Sequence, residues 1–128
     1  MILLDASTII DAVRARDSEF TRRLLSCDGG VCGVTRAEVL GGARNDRDRA
    51  NLLTILNGFQ QISLPDVIWD DAGALYSQLR SSGVTVPLVD AVIASMGLAL
   101  NCEVWARDAH FRAIQGVVPR LRLLQEVS

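Results

Sequence analysis

The chain has 128 residues, 49% of them hydrophobic and 22% charged, with a formal net charge of −2. That is room for one domain with a proper core, and the balance of apolar to charged residues excludes a disordered chain. All 13 basic residues are Arg, and there is one His. Without Lys the chain cannot carry a Walker A phosphate loop, Schiff-base chemistry or a Ser-Lys nucleophile, and one His excludes two-histidine acid–base catalysis.

In chain order, Ile2–Leu4 reads as a short buried strand that stops at Asp5. Ser7 or Thr8 is expected to cap a helix through Ile9, Ile10 and Val13, and a second helix runs through Phe20, Leu24 and Leu25. Asp28-Gly29-Gly30 reads as a turn before a second strand over 31–34. Thr35 opens a helix that carries Glu38, and residues 44–49 form the polar start of another that turns apolar at Leu52. Residues 60–64 form a third strand. Pro65 and Asp66 then start a long helix that ends near Gly83. Pro87 starts a nearly all-apolar helix to Leu100. A fourth strand is expected over 102–106, a short helix over 108–114 and a fifth strand over 121–124. Short apolar strands separated by helices describe an α/β fold with a mostly parallel sheet.

Four acids stand where charge is least expected. Asp5 and Asp108 lie just beyond strands, at the carboxyl ends where parallel sheets bind ligands. Glu38 is expected in the first turn of the helix after the second strand. Asp90 is the one charge in Leu88-Val89-Asp90-Ala91-Val92-Ile93-Ala94, a segment apolar enough to be buried. Each has a bland alternative. Thr35-Arg36-Ala37-Glu38 matches a capping box, Asp108 and Asp5 are natural N-caps, and Asp90 suits a helix dipole. Taken singly, the caps are the better explanation. Taken together, the acids share one edge of the sheet, where neighbouring strands are roughly 4.8 Å apart. Carboxylates so crowded need protons or cations, and an all-oxygen set suits Mg²⁺ or Mn²⁺. From the residues alone, the chemistry is that of a divalent-metal phosphodiesterase or phosphatase.

At these positions the sequence resembles the PIN-domain ribonucleases, and in length and motif order the toxin subunits of bacterial VapBC toxin–antitoxin pairs. Ile2-Leu3-Leu4-Asp5-Ala6-Ser7 is similar to the family's first motif and Glu38-Val39-Leu40-Gly41-Gly42-Ala43 to its second. Asp90-Ala91-Val92-Ile93-Ala94 is similar to the third and Arg107-Asp108-Ala109-His110-Phe111 to the fourth. The resemblance runs from the first strand to Leu124. It implies a single PIN domain over residues 1–128, a three-layer α/β/α sandwich with sheet order 3-2-1-4-5. It also implies a Mg²⁺-dependent endoribonuclease, with Mn²⁺ as the alternative ion and metal-activated water as the attacking group. Asp5, Glu38, Asp90 and Asp108 would hold the metal, with Ser7 and Arg107 in support. A homodimer, an RNA substrate and a covering antitoxin complete the expectation. The chain departs from many relatives at Ala106, where they carry Thr or Ser, and at Arg112, where they carry a further acid.

The remaining residues receive plainer readings. His110 is expected to be an ordinary surface or helix residue. Residues 44–49 form a solvated face, and Arg107 is either a phosphate contact or a local counter-charge. Trp69 and Trp105 are read as core or interface packing residues, with RNA base stacking as the minor alternative. Cys27, Cys32 and Cys102 are odd in number and lack a metal-site pattern, so buried thiols in a reducing cytoplasm are expected. No basic flank marks a signal peptide, and the apolar run over 91–100 is too short to cross a bilayer. Two other functions stay open: a PIN-like module that binds RNA or protein with little or no catalysis, and a haloacid-dehalogenase-like phosphatase. The latter lacks the Asp that family needs at Ser7, and its Lys.

Overall fold

The computed structural model describes residues 1–15 and 18–126. Its elements are β1 (Ile2–Leu4), α1 (Ala6–Arg14), α2 (Ser18–Ser26), β2 (Gly29–Cys32), α3 (Gly33–Gly41) and α4 (Asp46–Asn57). They continue with β3 (Gln60–Ile62), α5 (Val67–Ser81), α6 (Leu88–Leu100), β4 (Glu103–Trp105) and α7 (His110–Val117). All four strands are parallel, in the order β3-β2-β1-β4. The fifth position expected beside β4 is occupied by Leu123, joined to Val104 by a single parallel bridge. That segment is tied down by Val104 N–H to Arg122 O at 2.8 Å and Leu124 N–H to Val104 O at 2.9 Å.

The two-residue period of a strand sends alternate side chains to opposite faces and so makes three layers. Leu3, Cys32 and Val104 join a core with Ile68, Leu79, Ile93, Phe111 and Ile114 from α5, α6 and α7. Leu4, Val31 and Trp105 join a second core with Ile9, Leu24, Leu52 and Leu56 from α1, α2 and α4. Asp90 interrupts a helix, α6, whose residues from Ala91 to Gly97 are all buried. Among the described residues no helix is long and apolar enough to cross a membrane.

Several local expectations are corrected. Gly29 and Gly30 lie inside β2, not in a turn before it, and the strand ends at Cys32. A Cβ on Gly29 would lie 2.8 Å from Leu4 Cδ1, so glycine is there because the neighbouring strand packs against its backbone. With β2 shifted toward the N-terminus, α3 begins at Gly33, and Glu38 stands in its second turn. No capping box forms. Thr35 is buried, and its hydroxyl donates to Leu4 O at 3.1 Å instead. Asp5, not Ser7 or Thr8, caps α1. The Thr8 hydroxyl donates to Trp105 O at 2.8 Å, so two threonines satisfy carbonyls at the carboxyl edge of the sheet. Only Cys32 is a fully buried thiol; Cys27 and Cys102 are half-buried.

Candidate active site

The site is built where β1 and β4 end side by side. Asp5 donates its backbone N–H to Trp105 O at 3.0 Å, which continues the β1–β4 ladder by one residue and fixes the Asp5 backbone. Its Oδ2 accepts from Ser7 N at 3.1 Å and Ser7 Oγ at 2.6 Å. Ser7 Oγ in turn accepts from Arg107 N at 3.0 Å, so one hydroxyl ties the loop after β4 to the acid after β1. The capping explanation of Asp5 therefore holds for one oxygen. The other, Oδ1, is buried and has no hydrogen-bond partner among the described residues, although Asp5 is only 2% exposed.

Each of the other three acids interacts with it through charge. Asp90 is 5% exposed in the first turn of α6. Asp108 is half-buried in the turn before α7, where its Oδ1 accepts from His110 N at 2.9 Å; the helix itself starts after Ala109. Glu38 reaches the cluster from the exposed face of α3 and makes no hydrogen bond among the described residues. Burial raises the Asp5 carboxyl above its ordinary range, Asp108 adds repulsion, and the Ser7 donors oppose both. Glu38 is raised by burial and then by the charges of Asp5 and Asp108. Burial, followed by the charges of Asp108 and Asp5, pushes Asp90 up to about 7.

His110, the half-exposed first residue of α7 and so a surface and helix residue as read, also belongs to this cluster. Its Nδ1 lies 2.8 Å from Asp90 Oδ2 and 3.6 Å from Asp108 Oδ1. The one signal in the sequence was its spacing, two residues beyond an acid at the start of a helix. Nothing in the sequence pairs it with Asp90. Arg107 is engaged by acids outside the cluster. Its guanidinium bonds Glu126 at 3.1 Å, approaches Asp11 at 3.7 Å and stacks 3.6 Å over the Phe20 ring. Trp105 is buried in the core as expected, while Trp69 is half-exposed. Residues 44–49 are a solvated face in which Asp48 pairs with Arg14 at 3.0 Å.

A buried carboxylate oxygen without a donor, close to other negative charges, is unfavourable unless a cation is close. The donor set is oxygen-rich, and Asp90, Asp108 and His110 each offer a ligand atom, all within 4.8 Å of one another. These residues fit a divalent ion.

The PIN domain family model matches residues 2–117. The chain belongs to the PIN domain family. Membership excludes the haloacid-dehalogenase-like alternative. Among PIN relatives, VapC ribonuclease Mb1587 of Mycobacterium bovis and ribonuclease VapC11 of Mycobacterium tuberculosis are each 31% identical over 136 residues, an alignment spanning 100% of this chain and 98% of theirs. The fold is similar to VapBC2 of Rickettsia felis bound to a promoter DNA fragment, with a TM-score of 0.80 at 19% identity over 97% of this chain and 98% of that one. It is also similar to FitAcB of Neisseria gonorrhoeae, with a TM-score of 0.77 at 21% identity over 98% of this chain and 97% of that one.

Proposed function

We propose that this chain is a Mg²⁺- or Mn²⁺-dependent endoribonuclease, the toxin component of a type II toxin–antitoxin pair, acting in the cytoplasm as a single PIN domain over residues 1–128. The observation that carries the reading is the unpartnered, buried Oδ1 of Asp5 among three further carboxylates at the edge of the sheet. The names of the VapC relatives, matched over nearly their full length, support the ribonuclease assignment.

Asp5, Asp90, Asp108 and Glu38 are the ligands in this reading. When bound, the ion would polarise a phosphate oxygen and activate water for hydrolysis of the RNA phosphodiester bond. Ser7 holds Asp5 Oδ2 and the Arg107 amide, and by fixing one oxygen of the carboxylate it also fixes the direction of Oδ1. Ser7 thereby does the orienting work for which Ala106 has no hydroxyl. Arg107 orders the rim by its pairing with Glu126.

The acidic pocket also suits an antitoxin that presents a guanidinium in place of the metal, because charge-assisted bonds to carboxylates are strong. A structure of similar fold from Klebsiella pneumoniae, with a TM-score of 0.75, is titled a toxin–antitoxin complex, which supports this choice of partner. Exposed apolar side chains at Val67, Trp69 and Leu100 supply surface for the homodimer.

The test is cleavage of single-stranded and looped RNA by the purified chain, with Mg²⁺ or Mn²⁺ and with excess EDTA. Cleavage is expected only with the ion, and Asp5→Asn should reduce it by about a hundredfold or more. Full activity in EDTA would sink the reading.

A further inference from the structure

We propose that His110 is a nitrogen ligand of the divalent cation and biases the site toward Mn²⁺ over Mg²⁺. This deepens the cation-site reading above and rests on it. Two features hold the ring in place. The His110 backbone N–H bonds Asp108 Oδ1 at 2.9 Å, which locks the turn entering α7, and Nδ1 hydrogen-bonds Asp90 Oδ2 at 2.8 Å, sharing a proton that a cation bound at Nδ1 would displace to solvent. The same Nδ1 is 3.6 Å from Asp108 Oδ1, so it stands between two carboxylates. A histidine that merely orients one acid would sit behind that acid alone.

The spacing is that of a ligand set. Adjacent ligands of a six-coordinate ion with bonds of 2.0–2.1 Å lie about 3 Å apart. The separations of 2.8 and 3.6 Å bracket that value, and all three residues offer atoms within 4.8 Å of one another. Asp5 is the independent observation. Its Oδ1 is buried and unpartnered, and its charge acts on Asp90. The pocket therefore presents carboxylate oxygens and one imidazole nitrogen, where the four acids expected from the sequence would present oxygen only.

That nitrogen alters selectivity. Mg²⁺ is hard, dehydrates reluctantly and gains little from imidazole, whereas first-row transition ions accept it more readily. The half-exposed ring can meet an ion without moving the core.

The chain makes the test clean, because His110 is its only histidine. Tag-free protein loaded with Mn²⁺ should show a directly coordinated nitrogen by pulsed electron paramagnetic resonance, and His110→Ala should lose it. Calorimetric titration should show the variant binding Mn²⁺ about tenfold or more weakly, with a much smaller change for Mg²⁺. Mn²⁺ bound by the wild type without nitrogen coupling would overturn the proposal, as would equal weakening for both ions, the mark of an orienting role. If His110→Ala does not fold, the wild-type nitrogen signal decides alone. If the wild type binds neither ion, the cation-site reading itself fails and takes this proposal with it.

Discussion

Ser7 carries two contacts on one oxygen: it donates to Asp5 Oδ2 at 2.6 Å and accepts from Arg107 N at 3.0 Å. Ser7→Ala removes both at once and leaves two groups short of a partner. Because Asp5 Oδ2 retains the Ser7 N–H, the cost belongs at the low end of the about 1–3 kcal/mol of an unsatisfied group. The expected result is a lower melting temperature together with weaker Mg²⁺ binding by calorimetry. Unchanged values would mean that the backbone alone holds Asp5. Residues of this kind were legible in the sequence, since Ser7 stands two positions from Asp5 and strand ends are local features. His110 was not legible, because its contact with Asp90 exists only when α7 docks beside α6.

At the level of elements, helix α6 binds the site to the core. It begins after Pro87 with Asp90 in its first turn and ends at Asn101, whose φ of 50° is left-handed. The end is stabilised by Asn101 N–H to Leu98 O and Cys102 N–H to Gly97 O, both at 3.2 Å, which turns the chain directly into β4. Gly97 is required by packing. A Cβ there would lie 2.5 Å from Val104 Cγ2, a fully buried, β-branched side chain that has nowhere to go. Gly97→Ala gains up to about 1 kcal/mol of helix propensity but meets an overpacking penalty of about 1–3 kcal/mol. The clash should win, lowering the midpoint of urea unfolding. A stabilised variant would show that α6 can slide over β4. Helix α5 closes at Gly83, φ 79°, with Val84 N–H to Leu79 O at 2.8 Å, as the glycine after a long helical pattern leads one to expect.

For the molecule as a whole, the acid cluster makes metal-free stability depend on pH in a stated direction. Asp5, Glu38 and Asp90 are all raised from ordinary values of 3.8, 4.5 and 3.8, Asp90 to about 7. Between those ordinary values and about 7 the native state binds more protons than the unfolded one, so stability falls as pH rises. Asp48, lowered to about 2 by Arg14, acts on the other side: its contribution is lost as pH falls through about 4 to 2. The metal-free melting temperature should therefore peak near the acidic end of the window and decline toward pH 7. Added Mg²⁺ should restore stability at neutral pH by mass action. Asp90→Asn should raise the metal-free melting temperature at pH 7 and abolish the response to Mg²⁺. Calorimetric scans from pH 4 to 7 check this; a melting temperature that climbs steadily across the range contradicts it.

Periodicity, caps and strand ends are written in near neighbours, and these the sequence determined by itself. The alternation of Leu3 with Leu4 and of Val104 with Trp105 sets the two faces of the sheet, and the acids follow strand or helix ends. Two glycines usually signal a turn, whereas in β2 they admit the side chains of Leu4 and Met1 against a strand. With β2 starting there, Thr35 falls inside α3, and its hydroxyl serves a carbonyl of β1, 31 residues away, instead of a cap. The sequence likewise could not say which oxygen of Asp5 is free, that Arg107 is engaged by Glu126, or that His110 meets Asp90. These contacts join elements far apart in the chain. Their energies depend on burial and on distances of about 3 Å, which exist only once the helices have packed on the sheet.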